Sequence, residues 1–278
     1  MFTDQTIAFL DENWSAVLGC SPAQLRDGAR HVVANPESPG VKQPWPLRAD
    51  SVCMWSGGKG WVLSVPGHLT GRARELCRSR SFTELCAEGD GQYQEWFDRG
   101  MPEEQRNTVR GPSAYVTFAR LAEGLPVRTW SHYLHWYYEP SSPPERPVDE
   151  HVRRVQADDG EVWQQWQAWP GPVCCPDFDR PGGLTAVFGY VLDRKLVSVA
   201  QIQAGKDDFG CELAVETLDD FVGRGFATEA TRALTQHVVD LGRLPWYYHD
   251  HYNVPSSKVL RKLRYSLYAE TLVSHMEK

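Results

Sequence analysis

The sequence predicts a mixed α/β (α+β) protein in two parts, and three observations carry that expectation. The first is a change of hydrophobic period within one stretch. Cys211, Leu213, Val215 and Thr217 alternate with Glu212, Ala214 and Glu216, the period of two that a pleated strand requires. From Phe226 onward, Phe226, Ala230, Ala233, Leu234, His237, Val238 and Leu241 fall on one helical face, with Gly242 where a helix ends. The second is the turn between them, Gly223-Arg224-Gly225. A strand entering a helix through such a turn points free backbone N–H groups at one spot, where the helix dipole favours an anion such as phosphate. The third is Glu139–Glu150, EPSSPPERPVDE, rich in Pro and Ser and without apolar periodicity. Read as a linker, it separates an N-terminal α+β domain (residues 1–140) from a second domain (residues 150–278).

Taken in order, residues 3–28 carry a helical pattern (Ile7, Phe9, Leu10, Trp14, Val17, Leu18), and Ser21-Pro22 reads as a helix cap followed by Pro at the first helical position. Residues 34–50 read as loop. Ser51–Trp55 and Gly60–Val65 form a predicted hairpin across Ser56-Gly57-Gly58-Lys59. Helices are expected over Pro66–Arg78 and Ser81–Gly100, and strands over Ser113–Phe118 and Arg128–Tyr138. Aromatic residues crowd Thr129–Tyr138, which suits a buried strand better than a ligand wall. His132 and His135 fall on opposite faces of any strand there, a poor metal pair. Beyond the linker come a strand at Val152–Gln156, a helix capped by Asp158 and stopped by Pro170, and a hairpin of Thr185–Leu192 with Lys195–Gln203 about Asp193-Arg194. An aromatic strand (Leu244–Tyr252), a short helix and a last strand (Ser266–His275) follow the central strand and helix.

The chain has 278 residues, 41% of them hydrophobic, enough for a sizeable core. No apolar run approaches the roughly 18 residues of a membrane span, and the N-terminus lacks a basic signal-peptide region. A formal charge of -7 argues against nucleic acid as a partner. Seven scattered cysteines without zinc spacing predict reduced thiols, a cytoplasmic setting and no metal.

The Gly turn does not end in the Lys-Ser or Lys-Thr of a nucleotide-binding Walker loop, and it lacks the third glycine of a dinucleotide fingerprint. Val222-Gly223-Arg224-Gly225-Phe226-Ala227 resembles instead the pyrophosphate loop of the GNAT superfamily of acyl-CoA-dependent N-acyltransferases. That loop reads Arg or Gln, two free positions, Gly, one free position, then Gly or Ala, so Val222 replaces the leading Arg or Gln. Downstream, Asn253, Ser256, Lys262-Leu263 and Tyr265 match a second superfamily motif, with Arg264 in place of its usual Gly. The Gly111-Pro112-Ser113 strand start and the Asn253-x-x-Ser256 step further resemble a branch that includes the zwittermicin-resistance acetyltransferases. In that branch a divergent, GNAT-like N-terminal half precedes the GNAT domain.

The resemblance implies a C-terminal GNAT fold with a mixed, mostly antiparallel sheet, and an acetyl-CoA or other acyl-CoA co-substrate. It implies transfer to the amine of a small molecule by direct attack, or else a non-catalytic acyl-CoA-binding sensor or partner module, in a monomer or homodimer. The backbone of Glu216, Thr217 and Leu218 would pair with the pantetheine arm. Gly223, Arg224, Gly225, Phe226, Ala227, Thr228 and Glu229 would hold the pyrophosphate, and Asn253 would reach the arm. For the base that deprotonates the incoming ammonium, Glu212, Asp250 and His249 are all candidates. Many relatives carry a Tyr seven residues after the Asn as acid for the thiolate. Here that position is Leu260, leaving Tyr265 or Tyr268 as substitutes.

Overall fold

The computed structural model describes residues 2–36, 50–89, 115–142, 149–170, 174, 186–206 and 210–276. Its chain forms two compact units, Asp4–His135 with Tyr268–Lys278, and Met1–Thr3 with Trp136–Leu267. The chain is a mixed α/β protein with mostly antiparallel strand pairing.

In the first unit, α1 (Asp4–Leu18) turns into α2 (Pro22–Arg26). Ser21 caps α2 and exchanges hydrogen bonds with Gln24, while Pro22 opens the helix, as the sequence predicts. Strand β1 (Arg30–Ala34) pairs in parallel with β3 (Trp61–Val65), which forms the predicted hairpin with β2 (Cys53–Ser56). Next come α3 (Thr70–Cys77), a helical segment at residues 82–89, α4 (Val116–Leu121) and β4 (Val127–Tyr137). With the C-terminal β10 (Ser266–Met276) the strand order is β1-β3-β2-β10-β4. Met54, Leu63, Leu85, Phe118, Trp130 and Leu272 form its core. Buried Asp11 is held by Arg26 (Nε to Oδ2, 2.8 Å) and by the donated hydroxyl of Tyr268, tying α1 and α2 to β10.

One expectation changes here, and one strand had not been expected. Residues 116–118 are helical rather than extended, because Thr117, Phe118 and Leu121 bury one side at helical spacing; a short apolar run cannot distinguish the two. Strand β1 was not legible at all, being short, half-exposed and without clean alternation. Residues 113–114, Gly111-Pro112-Ser113 and most of the loop at 34–50 lie outside the described residues, as does the end of the helix expected to reach Gly100.

The second unit contains β5 (Val152–Arg154), α5 (Glu161–Gln167), β6 (Val187–Leu192), β7 (Lys195–Lys206), β8 (Gly210–Thr217), α6 (Phe226–Asp240), β9 (Pro245–Asp250) and α7 (Val254–Lys262). From the end of β4 the order is β9-β8-β7-β6-β5, antiparallel except for the parallel pair of β8 and β9. Asp193 and Arg194 both take positive φ (49° and 66°), which gives the two-residue hairpin turn its twist. Helix α5 is capped by Gly160 at φ 56°, not by Asp158. Its Val162 and Trp166 pack with Trp169, Val187, Leu196, Val199 and Ala214 on one sheet face.

Of the linker expected at 139–150, residues 143–148 lie outside the described ones. The chain crosses between units inside β4, at His135–Trp136, and Tyr268–Lys278 groups with the N-terminal unit rather than with residues 150–267. Among the described residues no helix is long and apolar enough to cross a membrane.

Arg264, where the second motif has Gly, adopts φ 64°. This left-handed conformation lets the Tyr265 amide bond back to Leu260 and close α7 (3.0 Å). A side chain there costs about 1–2 kcal/mol of strain, part of which a glycine would lose again as unfolded-chain entropy. Arg264→Gly is therefore expected to raise the unfolding free energy by about 0.5–1 kcal/mol, read as a higher urea midpoint.

Candidate active site

Strands β8 and β9 pair at two positions, Cys211 with Pro245 and Glu212 with Trp246, and then separate. Beyond that point β7 covers only one edge of β8. Leu218 N donates to Val197 O on the β7 side (3.0 Å), so by alternation the amides of Leu213, Val215 and Thr217 face the gap toward β9. This corrects the expectation for Leu218. Its amide is taken by β7 and its carbonyl by Phe221 N (2.8 Å), so neither remains for a ligand. Glu216 also has structural work, since its carboxylate accepts from Trp169 Nε1 and Cys174 N, each at 2.9 Å.

At the end of β8 the chain makes a single turn of 3-10 helix (Asp219–Phe221) and enters α6 through Gly223 and Gly225, with φ of 81° and 92°. A Cβ on either glycine would meet nothing within 4 Å, so the space above the turn is open. Gly225 is the N-cap and offers no side chain to the first-turn amides. Its carbonyl receives Thr228 N (2.9 Å) and Glu229 N (3.3 Å). The Glu229 carboxylate is paired with Arg232 (3.2 Å), which mutes a negative charge that would otherwise oppose an anion here. Arg224 reaches back to Asp220 O (2.9 Å). Among the described residues the arrangement fits a diphosphate: an uncapped helix start, two glycines facing open space, and a damped acid.

The three candidate bases separate. Glu212 is half-buried at the point where the strands part. Because Glu212 and Trp246 are register partners, Glu212 and Asp250 project to the same face, with Trp246 stacked on Tyr248 between (5.8 Å). Asp250 ends β9 and accepts from Tyr252 N (3.2 Å). His249 is on the other face, buried beside Trp136 and α7. Its Nδ1 donates to Asp250 O (2.7 Å), which leaves Nε2 to accept from the Ser257 hydroxyl (3.2 Å). Burial lowers its pKa from the ordinary value, and both nitrogens are engaged in the neutral form. His249 is thus a locked neutral imidazole, a structural role.

Asn253 caps α7, its Oδ1 accepting from Ser256 N (3.1 Å), so only its NH2 group remains for a ligand. Leu260 is fully buried, and neither expected substitute works. Tyr265 is buried with its hydroxyl on Thr235 Oγ1 (2.8 Å), and Tyr268 belongs to the other unit with its hydroxyl on Asp11. Sequence reasoning missed Tyr247, the first β9 residue past the paired positions. Its hydroxyl lies 3.5 Å from Ser256 Oγ and bonds with the Val215 amide across the gap, while burial pushes its pKa up to about 12. Its place directly after Trp246 in the aromatic run was the available signal. Cys53, Cys77 and Cys211 are poor nucleophiles: burial pushes the first two up to about 12 and Cys211 to about 11.

Residues 191–274 match the family model described as FR47-like protein, so the GNAT resemblance holds over β7 to β10. No curated protein matches the chain. Among solved structures, a GNAT-family protein from Novosphingobium aromaticivorans is 17% identical, covering 55% of this chain and 67% of its own, with a TM-score of 0.44. A GCN5-related N-acetyltransferase from Kribbella flavida is 19% identical over 58% of this chain and 64% of its own, with a TM-score of 0.41. Another, from Sphaerobacter thermophilus, is 12% identical over 99% and 97%, with a TM-score of 0.44. This chain thus spans about two thirds of the first two. Nothing among these comparisons identifies the zwittermicin-resistance branch.

A neutral buried His249 has a measurable consequence. Its folded pKa lies below the unfolded value of about 6.5, so the unfolded chain binds the proton more readily. Stability is fully present above about pH 6.5 and falls as pH drops toward the folded pKa. His237, also lowered by burial, adds to the same trend. Denaturant titrations between pH 7.5 and 5 should show this decline, and His249→Gln should remove up to about 1.4 kcal/mol per pH unit of its slope.

Proposed function

We propose that this chain is an acyl-CoA-dependent N-acyltransferase that transfers an acetyl or other short acyl group to the amine of a small molecule. The observation that carries this reading is the one-ended separation of β8 from β9 directly before an uncapped, glycine-lined helix start. An extended amide chain ending in a diphosphate matches that sequence of surfaces: an open strand edge at Thr217 first, helix-terminal amides next.

Acyl-CoA, when bound, supplies an activated thioester carbonyl and a thiolate leaving group. The protein's part is to hold the reacting groups and take the proton that masks the amine; the second proton of the nitrogen is lost to solvent as the tetrahedral adduct expels the thiolate. Thr217 offers its gap-facing amide to the arm, the Val215 amide being held by the Tyr247 hydroxyl, and the amides of Gly223 to Ala227 meet the diphosphate. Glu212, where the strands part, takes a proton from the incoming ammonium and so frees the lone pair of the amine that attacks the thioester carbonyl, with Asp250 on the same face as the alternative acceptor. Tyr247 holds a proton at the gap and donates a hydrogen bond toward the negative charge that develops there. A second reading, a non-catalytic acyl-CoA-binding module, draws on buried Leu260 and on the unavailability of Tyr265 and Tyr268.

Release of free CoA from acetyl-CoA, measured across a panel of small amines, separates the two readings. Gly225→Asp places a carboxylate in the space for the diphosphate and is expected to abolish acetyl-CoA binding by calorimetry. Glu212→Gln should leave that affinity nearly unchanged and lower kcat by about a hundredfold. If both Glu212→Gln and Asp250→Asn retain full activity, the base has been misassigned. Binding without turnover by any amine favours the second reading.

A further inference from the structure

Gln201 sits in the middle of β7 and is only 2% exposed. Its register partners are Val187 on β6 and Ala214 on β8, both members of the apolar cluster that packs with α5. Residues directly opposite one another share a sheet face, so Gln201 lies on the face that this cluster covers. Among the described residues nothing donates to its Oε1. A carboxamide oxygen enclosed by apolar neighbours has given up its water for nothing in return. Packing alone would favour a Val or Ile at such a strand position, so the amide calls for another reason.

The unanswered oxygen stands beside the candidate base. On β8, Ala214 lies between Glu212 and Glu216, all three on one face. Gln201 is therefore the diagonal neighbour of both glutamates, at a Cα separation of roughly 7–8 Å that long side chains span. Glu216 serves Trp169 and Cys174, so the pair that bears on the chemistry is Gln201 with Glu212. Directly after Gln201 the β7–β8 register shifts, and Gln203 is the extra residue between the partners of Leu213 and Glu212. Such a bulge bends its strand and re-aims the side chains beside it. An amide oxygen and a carboxylate are both acceptors and cannot satisfy each other. A positively charged group with several N–H donors satisfies both at once.

We infer that Gln201 is a specificity residue of the acceptor site, its Oε1 receiving one N–H of the incoming primary ammonium while Glu212 takes the proton from another. This rests on the proposed function and adds how the acceptor nitrogen is held. After deprotonation the nitrogen keeps an N–H for Gln201, so the contact is the same before and during attack. Its loss is then a loss of uniform binding, which raises KM for the amine and hardly moves kcat.

Release of free CoA is measured with butylamine, benzylamine and ethanolamine, each titrated at saturating acetyl-CoA. Gln201→Met matches the side chain in length and removes the oxygen. It is expected to raise KM for the amine about tenfold, with kcat within about twofold and calorimetric acetyl-CoA affinity unchanged. Gln201→Glu keeps an oxygen and should hold KM near the wild-type value. The urea midpoint without amine adds a readout that a structural amide would move the other way. Removing an unsatisfied oxygen should leave the Gln201→Met midpoint at or above that of the wild type. A lower midpoint in both Gln201→Met and Gln201→Leu makes the amide part of the framework and overturns the assignment. Unchanged KM in Gln201→Met overturns it too and leaves the proposed function standing. A wild-type chain that releases no CoA with any of these amines overturns the two together.

Discussion

Strands β8 and β9 are held together at one end only, and the candidate site depends on that constraint. The fastening is backbone on backbone. Gly210 takes φ 135°, and a Cβ there would lie 2.3 Å from Leu244 O, so only glycine lets the two strands approach. Cys211 N then bonds to Leu244 O (2.9 Å), and two register pairs follow. Past them Tyr247 enters from β9 and the ladder stops. Unmade ladder bonds are costly when buried, so an open strand edge facing a gap calls for a partner in extended conformation. The helix start that follows supplies the complementary demand for an anion. One glycine contact and one tyrosine thus leave one edge of β8 open directly before an uncapped helix start.

Burial decides among the candidate acids and bases where residue type could not. Glu212, Asp250 and His249 are equivalent as proton acceptors on paper. The register of β8 against β9 puts the two carboxylates on one face and turns the imidazole to the other, where Trp136 and Ser257 enclose it. An enclosed imidazole with both nitrogens spoken for must break a bond before it can take a proton, and burial works against the charge it would gain. The same reasoning removes Tyr265, whose hydroxyl is committed to Thr235 inside the core.

What was legible in the sequence was whatever carries a local signature. The switch from period two at Cys211–Thr217 to a helical period at Phe226, the capping of α2 by Ser21, and the hairpin turn at Asp193-Arg194 each follow from a few neighbouring residues. Strand β1 and helix α4 were lost because their faces are defined by distant partners, Val32 and Phe118 joining a core assembled from residues far along the chain. For the same reason no local pattern could indicate that Tyr268–Lys278 would group with the N-terminal unit. Leu218 was expected at the arm from the resemblance alone; its pairing with Val197 removes its amide. Arg264 was legible as a departure from a motif, but its positive φ explains why the motif has glycine there.

The departures from the superfamily pattern also fall on one physical axis. Val222 removes a side chain whose service to an anion can come from elsewhere, because a phosphate responds to charge and hydrogen-bond donors more than to their position in the chain. Leu260 removes a proton donor, which is harder to replace, since a donor must sit within hydrogen-bond reach of one atom. Tyr247 brings its hydroxyl to the Val215 amide at the gap, and burial pushes its pKa up to about 12. A phenol so strongly protonated is a weak acid for a thiolate, whose own pKa lies several units lower. It is a better hydrogen-bond donor to a tetrahedral oxyanion, where no complete proton transfer is needed. Under the proposed function, catalysis would therefore lean on stabilising the carbonyl oxygen, with the thiolate leaving unassisted.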